Sequence, residues 1–400
     1  MTAATDTAYD PTKRNVFVLA ICQALAMSSM SLLITISAIV GQNLAPTPSQ
    51  ATLPLAIQFL GMVCSTLPAS MAMRRWGRRT GFTIGATIGA IGGALAMMAV
   101  FIADFWLLCA GSLLIGSAAA HAQYYRFAAA DTASEEFKSR AISLVLAGGV
   151  LAAFMGPELA KQTRTLFEPV LFAGGFFTIV VLMLLTVVLL RFVQIPVATY
   201  RPGASSGRPL REIVKQPVFI VAVLCAMVAY GAMNMVMVST PLAMLACAHP
   251  FESAALVIQL HVLGMYAPSF FTGHLVHRFG LKPVMGFGGL LLFGCVAVNM
   301  SGIAVTNFAA GLILLGLGWN FLFIGGTTML TESYRPEEKA KVQALNDFLV
   351  FGTVAITAFS SGAVYDLYGW NVLNAVLVLP VALALGALIW LGIKRRLETA

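Results

Sequence analysis

Long stretches without charge set the hydrophobic pattern of this chain. Twelve such runs follow one another, at about 16–40, 51–73, 80–102, 105–128, 141–161, 168–194, 216–245, 252–276, 283–302, 306–330, 342–366 and 370–393. They are apolar around their whole circumference, and most reach the ~20 residues that an α-helix needs to cross a hydrocarbon core of ~30 Å. Only helices and closed barrels satisfy every backbone polar group in that medium, and barrel strands would alternate polar with apolar positions. The pattern therefore predicts an all-α polytopic membrane protein with twelve transmembrane helices. The first run follows Lys13 and Arg14, is longer than the core of a signal peptide and has no small-residue cleavage site after it, so it is expected to remain as an anchor.

Composition agrees, with 59% hydrophobic and 10% charged residues, and excludes a soluble globular chain. Charge then sets the orientation. With the N-terminus inside, 22 of the 24 basic residues fall on the inner side, and only Lys161 and Arg164 fall outside. Lys and Arg in short loops resist translocation, so both termini are expected in the cytoplasm of a bacterial-type inner membrane. The net charge of +8 is read as topological, facing anionic lipid headgroups and not nucleic acid.

The one long polar connection near the middle, "VATYRPGASSGRPLREIVKQP" (197–217), separates six runs from six. Sliding the sequence by 203 residues lays "LGMVCSTLPASMAMRRWGRR" (60–79) on "LGMYAPSFFTGHLVHRFGLK" (263–282). Leu60, Gly61, Met62, Arg75 and Gly77 then meet Leu263, Gly264, Met265, Arg278 and Gly280, while Trp76 meets Phe279 and Arg79 meets Lys282. With a shift of one to three residues, Gly116 pairs with Gly316 and "SRAISL" (139–144) with "AKVQAL" (340–345). Such matches indicate an internal duplication. The expected units are a tail 1–15, a six-helix bundle 16–194, a linker 195–215, a second bundle 216–393 and a tail 394–400. Transporters built from repeats bind solute near the bilayer midplane, at the interface of the halves.

On these residues the chain resembles the major facilitator superfamily of secondary transporters, over essentially its whole length. The resemblance rests on the loop after the second span of each half: Arg75, Gly77, Arg78 and Arg79 in the first, and Gly273, Arg278, Gly280 and Lys282 in the second. The family's acidic residue in that loop helps latch the halves on the cytoplasmic side. Here its positions hold Arg74 and His277, and the first glycine is Ser70, so the usual latch is not expected. The resemblance implies alternating access by two six-helix bundles, with the first span of each three-helix repeat lining the cavity. Gly156 and Pro157 in the fifth span are similar to a stretch found among the family's exporters.

Candidate site residues are the polar and aromatic positions inside those spans. "AHAQYYRFAAAD" (120–131) ends the fourth run and brings in His121, Tyr124, Tyr125 and Arg126. At spacings of i, i+3 and i+4, His121, Tyr124 and Tyr125 would share one helical strip, with Arg126 toward the cytoplasm. An arginine at the centre of a span costs ~2.5–3.5 kcal/mol to insert, less where its head reaches the interface. Arg126 is read either as a snorkelling topological charge or as a ligand for an anionic or aromatic solute, with Asp131 as a local counter-charge. Gln23, Tyr230, Asn234, Trp319 and Asn320 complete the candidate substrate contacts, and Met233, Met235 and Met237 offer adaptable apolar surface. Asp347 is the first candidate for coupling protons, with His121 and His261 behind it.

Other chemistry finds no support. "HLVH" (274–277) lacks a third metal ligand and a catalytic Glu, and neither GxSxG nor HExxH occurs, so the chain is not expected to be an enzyme or to need a cofactor or metal. The six cysteines show no CxxC spacing. A channel would not require duplicated halves. The sequence thus predicts a monomeric secondary transporter of a small organic solute. Proton-coupled efflux of amphipathic compounds is the first expectation, and import of a small anionic or aromatic nutrient by symport or uniport the alternative.

Overall fold

The computed structural model describes residues 12–131, 141, 144–145, 148–195 and 207–399. The tail 1–11, Lys138, Arg140 and Arg201 lie outside the described residues, as does the side chain of Asp131. Among the described residues there is no strand. The first half consists of α1 (Thr12–Leu44), α2 (Leu53–Trp76), α3 (Arg78–Ile102), α4 (Phe105–Ala122), α5 (Tyr125–Asp131), α6 (Gly148–Thr163) and α7 (Ala173–Leu190). The second consists of α8 (Pro217–Ala246), α9 (Phe251–Tyr266), α10 (Ser269–Phe279), α11 (Leu281–Met300), α12 (Val305–Leu330), α13 (Lys339–Ala375) and α14 (Val378–Thr399).

Nine described stretches are long and apolar enough to cross a membrane alone, and α9 with α10, bent by 43°, make a tenth. One of the nine, Lys341–Arg395, contains Gly369 with a φ of 76°, which interrupts the helix and divides this stretch into two spans. Helix α6 is the described part of the fifth run. Twelve crossings result, as the hydrophobic pattern predicts.

The duplication is visible in the backbone. Gly77 (φ 84°, ψ 158°) and Gly280 (φ 87°, ψ 155°) adopt the same conformation between the second and third spans of their halves, one that side chains disfavour. Close helix contacts recur in register too. A Cβ on Gly116 would lie 1.9 Å from the carbonyl oxygen of Gln58, and one on Gly316 would lie 2.6 Å from that of His261. Gln58 and His261 are themselves 203 residues apart, so both halves dock their fourth span on their second at one equivalent spot.

In the fourth run helix α4 stops at Ala122 and α5 resumes at Tyr125, with Gln123 and Tyr124 in a turn between them, yet Phe105–Ala129 continues as one span. His121 and Tyr125, four residues apart, both pack on α3, against Gly85 and Phe82, while the Tyr124 hydroxyl lies near the Thr66 carbonyl of α2.

The halves meet along α2 with α13 and along α6 with α9. Asn15 near the described start, Gln194 and Arg208 flanking the linker, and Arg395 near the described end lie on one side, here called the terminus side, tied by Asn15 to Gln194, Arg208 to Ser333 and Arg395 to Glu332; the opposite side is the far side. Bonds between the halves gather on the far side. The buried Thr52 hydroxyl, at the start of α2, donates to the carbonyl of Ala358 (2.7 Å) and accepts from the N–H of Gly362 (3.1 Å). Arg164 pairs with Glu252 at 3.2 Å, and the Phe172 and Phe251 rings meet edge to face at 5.3 Å. Ala56, Phe59, Val354 and Ala358 pack just below this seam.

Candidate functional site

Below the seam, a cavity of about 110 Å³ lies between the halves. From the first half come Gln23, Met27, Met30, Ser31 and Ile34 of α1, Phe59 and Met62 of α2, the end of α4 at Ala119, Ala122 and Gln123, and Ala152 of α6. From the second come Tyr230, Met233 and Met237 of α8, Val262, Met265 and Tyr266 of α9, and Phe351 of α13. Six of the chain's nineteen methionines line this space, so its walls can repack around ligands of differing outline. Met233 and Met237 line it one helical turn apart, while Met235 between them is buried without lining it.

Aromatic rings make up much of the second-half wall. Tyr230 meets Phe351 at 5.7 Å and Trp319 at 5.4 Å, both near edge to face, and Tyr266 meets Trp319 at 6.1 Å. Trp319 does not line the cavity. It stacks on Phe323 at 5.0 Å with planes 16° apart and supports Tyr230 and Tyr266 from behind.

Of the sequence-derived candidates, Gln23 and Tyr230 line the cavity directly. His121 is buried against α3, where a Cβ on Gly85 would come within 2.4 Å of it, and its Nδ1 lies 2.9 Å from the carbonyl of Ser117. Tyr125 turns away from the cavity and packs edge to face on Phe82 at 4.7 Å. Tyr124 is half-buried, its hydroxyl 3.3 Å from the carbonyl of Thr66. Asn234 ties α8 to α13, donating to the Val354 carbonyl at 3.0 Å and to the Thr357 hydroxyl at 3.2 Å.

Asn320 is fully engaged where α9 bends into α10. Its amide donates to the Met265 carbonyl (2.6 Å) and the Ser269 hydroxyl (2.8 Å), and its oxygen accepts from Thr272 (2.7 Å). His261 is also fully buried, with Nδ1 2.8 Å from the Leu312 carbonyl; because a carbonyl only accepts, Nδ1 carries the proton. None of these four, His121, Asn234, Asn320 and His261, lines the cavity.

Arg126 and Asp347 lie in opposite halves, on the terminus side of the cavity. Arg126 is half-buried in α5, its guanidinium 4.8 Å from the centre of the Phe127 ring, and Asp347, Tyr230 and Tyr266 are its electrostatic neighbours. Asp347 is an exposed residue of α13 that accepts from the Asn346 amide at 3.1 Å. Tyr124 also feels the Asp347 charge.

Tyr266, Phe59, Phe351 and Met27 were not among the sequence candidates. Spans two, five, eight and eleven contribute to the wall alongside the expected first, fourth and seventh, while the tenth only supports it. Tyr266 carried a readable signal: a lone tyrosine inside an apolar run, two residues before Pro268, where the helix breaks. Gly156 has a packing role, since a Cβ there would lie 2.5 Å from that of Ser31 on α1. In the duplicated loop, Arg75 and Arg278 lie over the neighbouring Trp76 and Phe279 rings at 5.6 and 5.3 Å. Among the described residues no cluster of His, Cys, Asp and Glu could hold a metal.

The sequence profile of the Major Facilitator Superfamily matches residues 19–246 and again 222–399. The riboflavin transporter RfnT of Brucella anthropi is 42% identical over 379 residues, covering 94% of this chain and 95% of that protein. The uncharacterized transporter YdeG of Bacillus subtilis is 28% identical over 369 residues, covering 88% and 84%. Among solved structures, an auto-inhibited peptide transporter of the POT family superposes with a TM-score of 0.68 at 13% identity, over 96% of this chain and 97% of that one.

Proposed function

Because the chain belongs to the major facilitator superfamily, and is an integral membrane transporter and not an enzyme, we propose that it takes up riboflavin or a closely related flat heteroaromatic nutrient by alternating access. The observation that carries this reading is the cavity wall. Tyr230, Tyr266 and Phe351 supply ring edges and faces, and the methionines supply thioether surface that suits a three-ring heterocycle. Gln23 and the Ser31 hydroxyl, which is buried without a partner, are left to bond the solute's polar atoms. The likeness to RfnT supports the same substrate class.

A space of about 110 Å³ is too small for three fused rings, so the halves must part on the terminus side to admit or release the solute. That side is assigned to the cytoplasm, where 22 of 24 basic residues would face. Asp347 is assigned the coupling proton, because its charge acts on Arg126, Tyr124 and Tyr230 beside the cavity. Export of amphipathic compounds has less to support it. Gly156 is accounted for by its contact with α1, and the cavity lining offers no carboxylate to a cationic drug.

The test is uptake of labelled riboflavin by proteoliposomes with and without an imposed inward proton gradient. Saturable uptake that the gradient accelerates is expected. Absence of saturable riboflavin flux in either direction would refute the substrate, and flux indifferent to the gradient would refute the coupling alone.

A further inference from the structure

A second cavity, of about 750 Å³, opens on the outer surface of the second half, between α11 and α14 on the terminus side. The two helices touch where a Cβ on Gly289 would lie 2.5 Å from a Leu385 methyl. Toward the terminus side they part. Gly286 and Gly392 line the gap, and a Cβ on either would meet nothing within 4 Å, so the space is open and not filled by the protein. Leu290, Ile389 and Ile393 form its exposed apolar walls. At its mouth stand Lys282, on the first turn of α11, and Arg395, on the last turns of α14. Helix α11 begins without a side-chain cap, so its positive end adds to these two cations.

Apolar walls at membrane depth beneath a cationic mouth match one occupant in both chemistry and order. We propose that this groove is a binding site for an anionic phospholipid, an acyl chain lying along Leu290, Ile389 and Ile393 and the phosphate held between Lys282 and Arg395. Basic pockets between spans on the cytoplasmic side select such headgroups. Arg395 already bonds Glu332 at 2.7 Å across an exposed gap, so the lipid phosphate joins or replaces that carboxylate. The site is separate from the solute cavity and shares no lining residue with it.

The experiment is native mass spectrometry of the purified full-length protein with phosphatidylglycerol or phosphatidylcholine of identical chains. Wild-type protein is expected to retain phosphatidylglycerol in preference. Replacing Lys282 or Arg395 by Gln is expected to lower that preference about fivefold each, equivalent to the ~1 kcal/mol that one basic residue gains at an anionic surface. A Cβ at Gly286 or Gly392 meets nothing within 4 Å, so Gly286→Leu and Gly392→Leu extend a side chain into the groove, and each should reduce retention of phosphatidylglycerol while leaving the protein monodisperse. If one of them does not fold, the other decides. Equal retention of the two lipids by wild type, or an unchanged preference in a folded Leu variant, would overturn the site. A dimer mass that Gly286→Leu abolishes would give the groove to a second copy of the chain and likewise overturn it.

Discussion

At the scale of single residues, side chains that line the cavity differ from those that hold helices together. Tyr266 belongs to the first kind. Tyr266→Ala removes one ring from the wall and is expected to weaken riboflavin binding roughly 3- to 10-fold, in keeping with the ~0.5–1.5 kcal/mol of an aromatic pair. Quenching of riboflavin fluorescence on titration with purified protein measures it, and unchanged affinity would remove Tyr266 from the site. Arg126 has Asp347 of the other half as an electrostatic neighbour. Arg126→Gln is expected to cut riboflavin flux at least tenfold while surface expression stays normal; equal flux would make Arg126 a topological charge. Of the residues that polarity inside a run picks out as candidate substrate contacts, Gln23 and Tyr230 line the cavity. The same criterion also picked out Asn234, Asn320 and His261, because a buried amide or imidazole that bridges two helices has the same composition as one that meets solute. Tertiary geometry alone separates them.

At the scale of elements, breaks matter more than lengths. The turn at Gln123 and Tyr124 leaves the fourth span continuous, and Tyr125 and Arg126 lie about 100° apart around it, so Tyr125 packs on α3 while Arg126 has Asp347, Tyr230 and Tyr266 as electrostatic neighbours. Nothing in "AHAQYYRF" announces that turn, since it contains neither Gly nor Pro. The bend between α9 and α10 was more legible, with Pro268 at its corner, and Asn320 stabilises it by bonding the Met265 carbonyl that the bend exposes. Asn320→Leu leaves that carbonyl and the Ser269 and Thr272 hydroxyls without this partner. It is expected to cost about 2 kcal/mol, the usual penalty for orphaned buried polar groups, and to lower the thermal midpoint in detergent. An unchanged midpoint would mean that the bend holds without the amide.

At the scale of the whole molecule, span number, duplication and charge asymmetry were legible because each is a linear property of the chain. The attachment of the linker was not. Arg208, read from sequence as one more topological cation, grips the Glu338 side chain, which has no exposed surface, with its Nε at 2.9 Å and its Nη2 at 2.7 Å; the backbone N–H groups of Arg208 and Arg335 add bonds of 2.7 and 2.9 Å. Lys341 caps the Arg208 carbonyl. These donors hold the Glu338 carboxyl well below the ordinary 4.5 of a glutamate, the Arg208 guanidinium contributing most. A depressed carboxylate contributes its full stabilisation above the unfolded value and loses it as pH falls toward the folded one. Glu338→Gln is therefore expected to lower the thermal midpoint by a constant amount above about pH 5.5, with the gap narrowing as the pH drops below 4.5. A gap that widens on acidification would contradict the assignment.

The Thr52 hydroxyl sits between a carbonyl and an amide of the opposite half, bonded to both. In the proposed cycle, opening the far side breaks both bonds, so this one oxygen acts as an escapement on that step. Thr52→Val removes both bonds, each worth ~0.5–1.5 kcal/mol, while keeping the shape of the side chain. It is expected to speed riboflavin counterflow several-fold where opening is the slow step, and to leave counterflow unchanged where solute release is. The variant thus identifies which half of the cycle limits the rate.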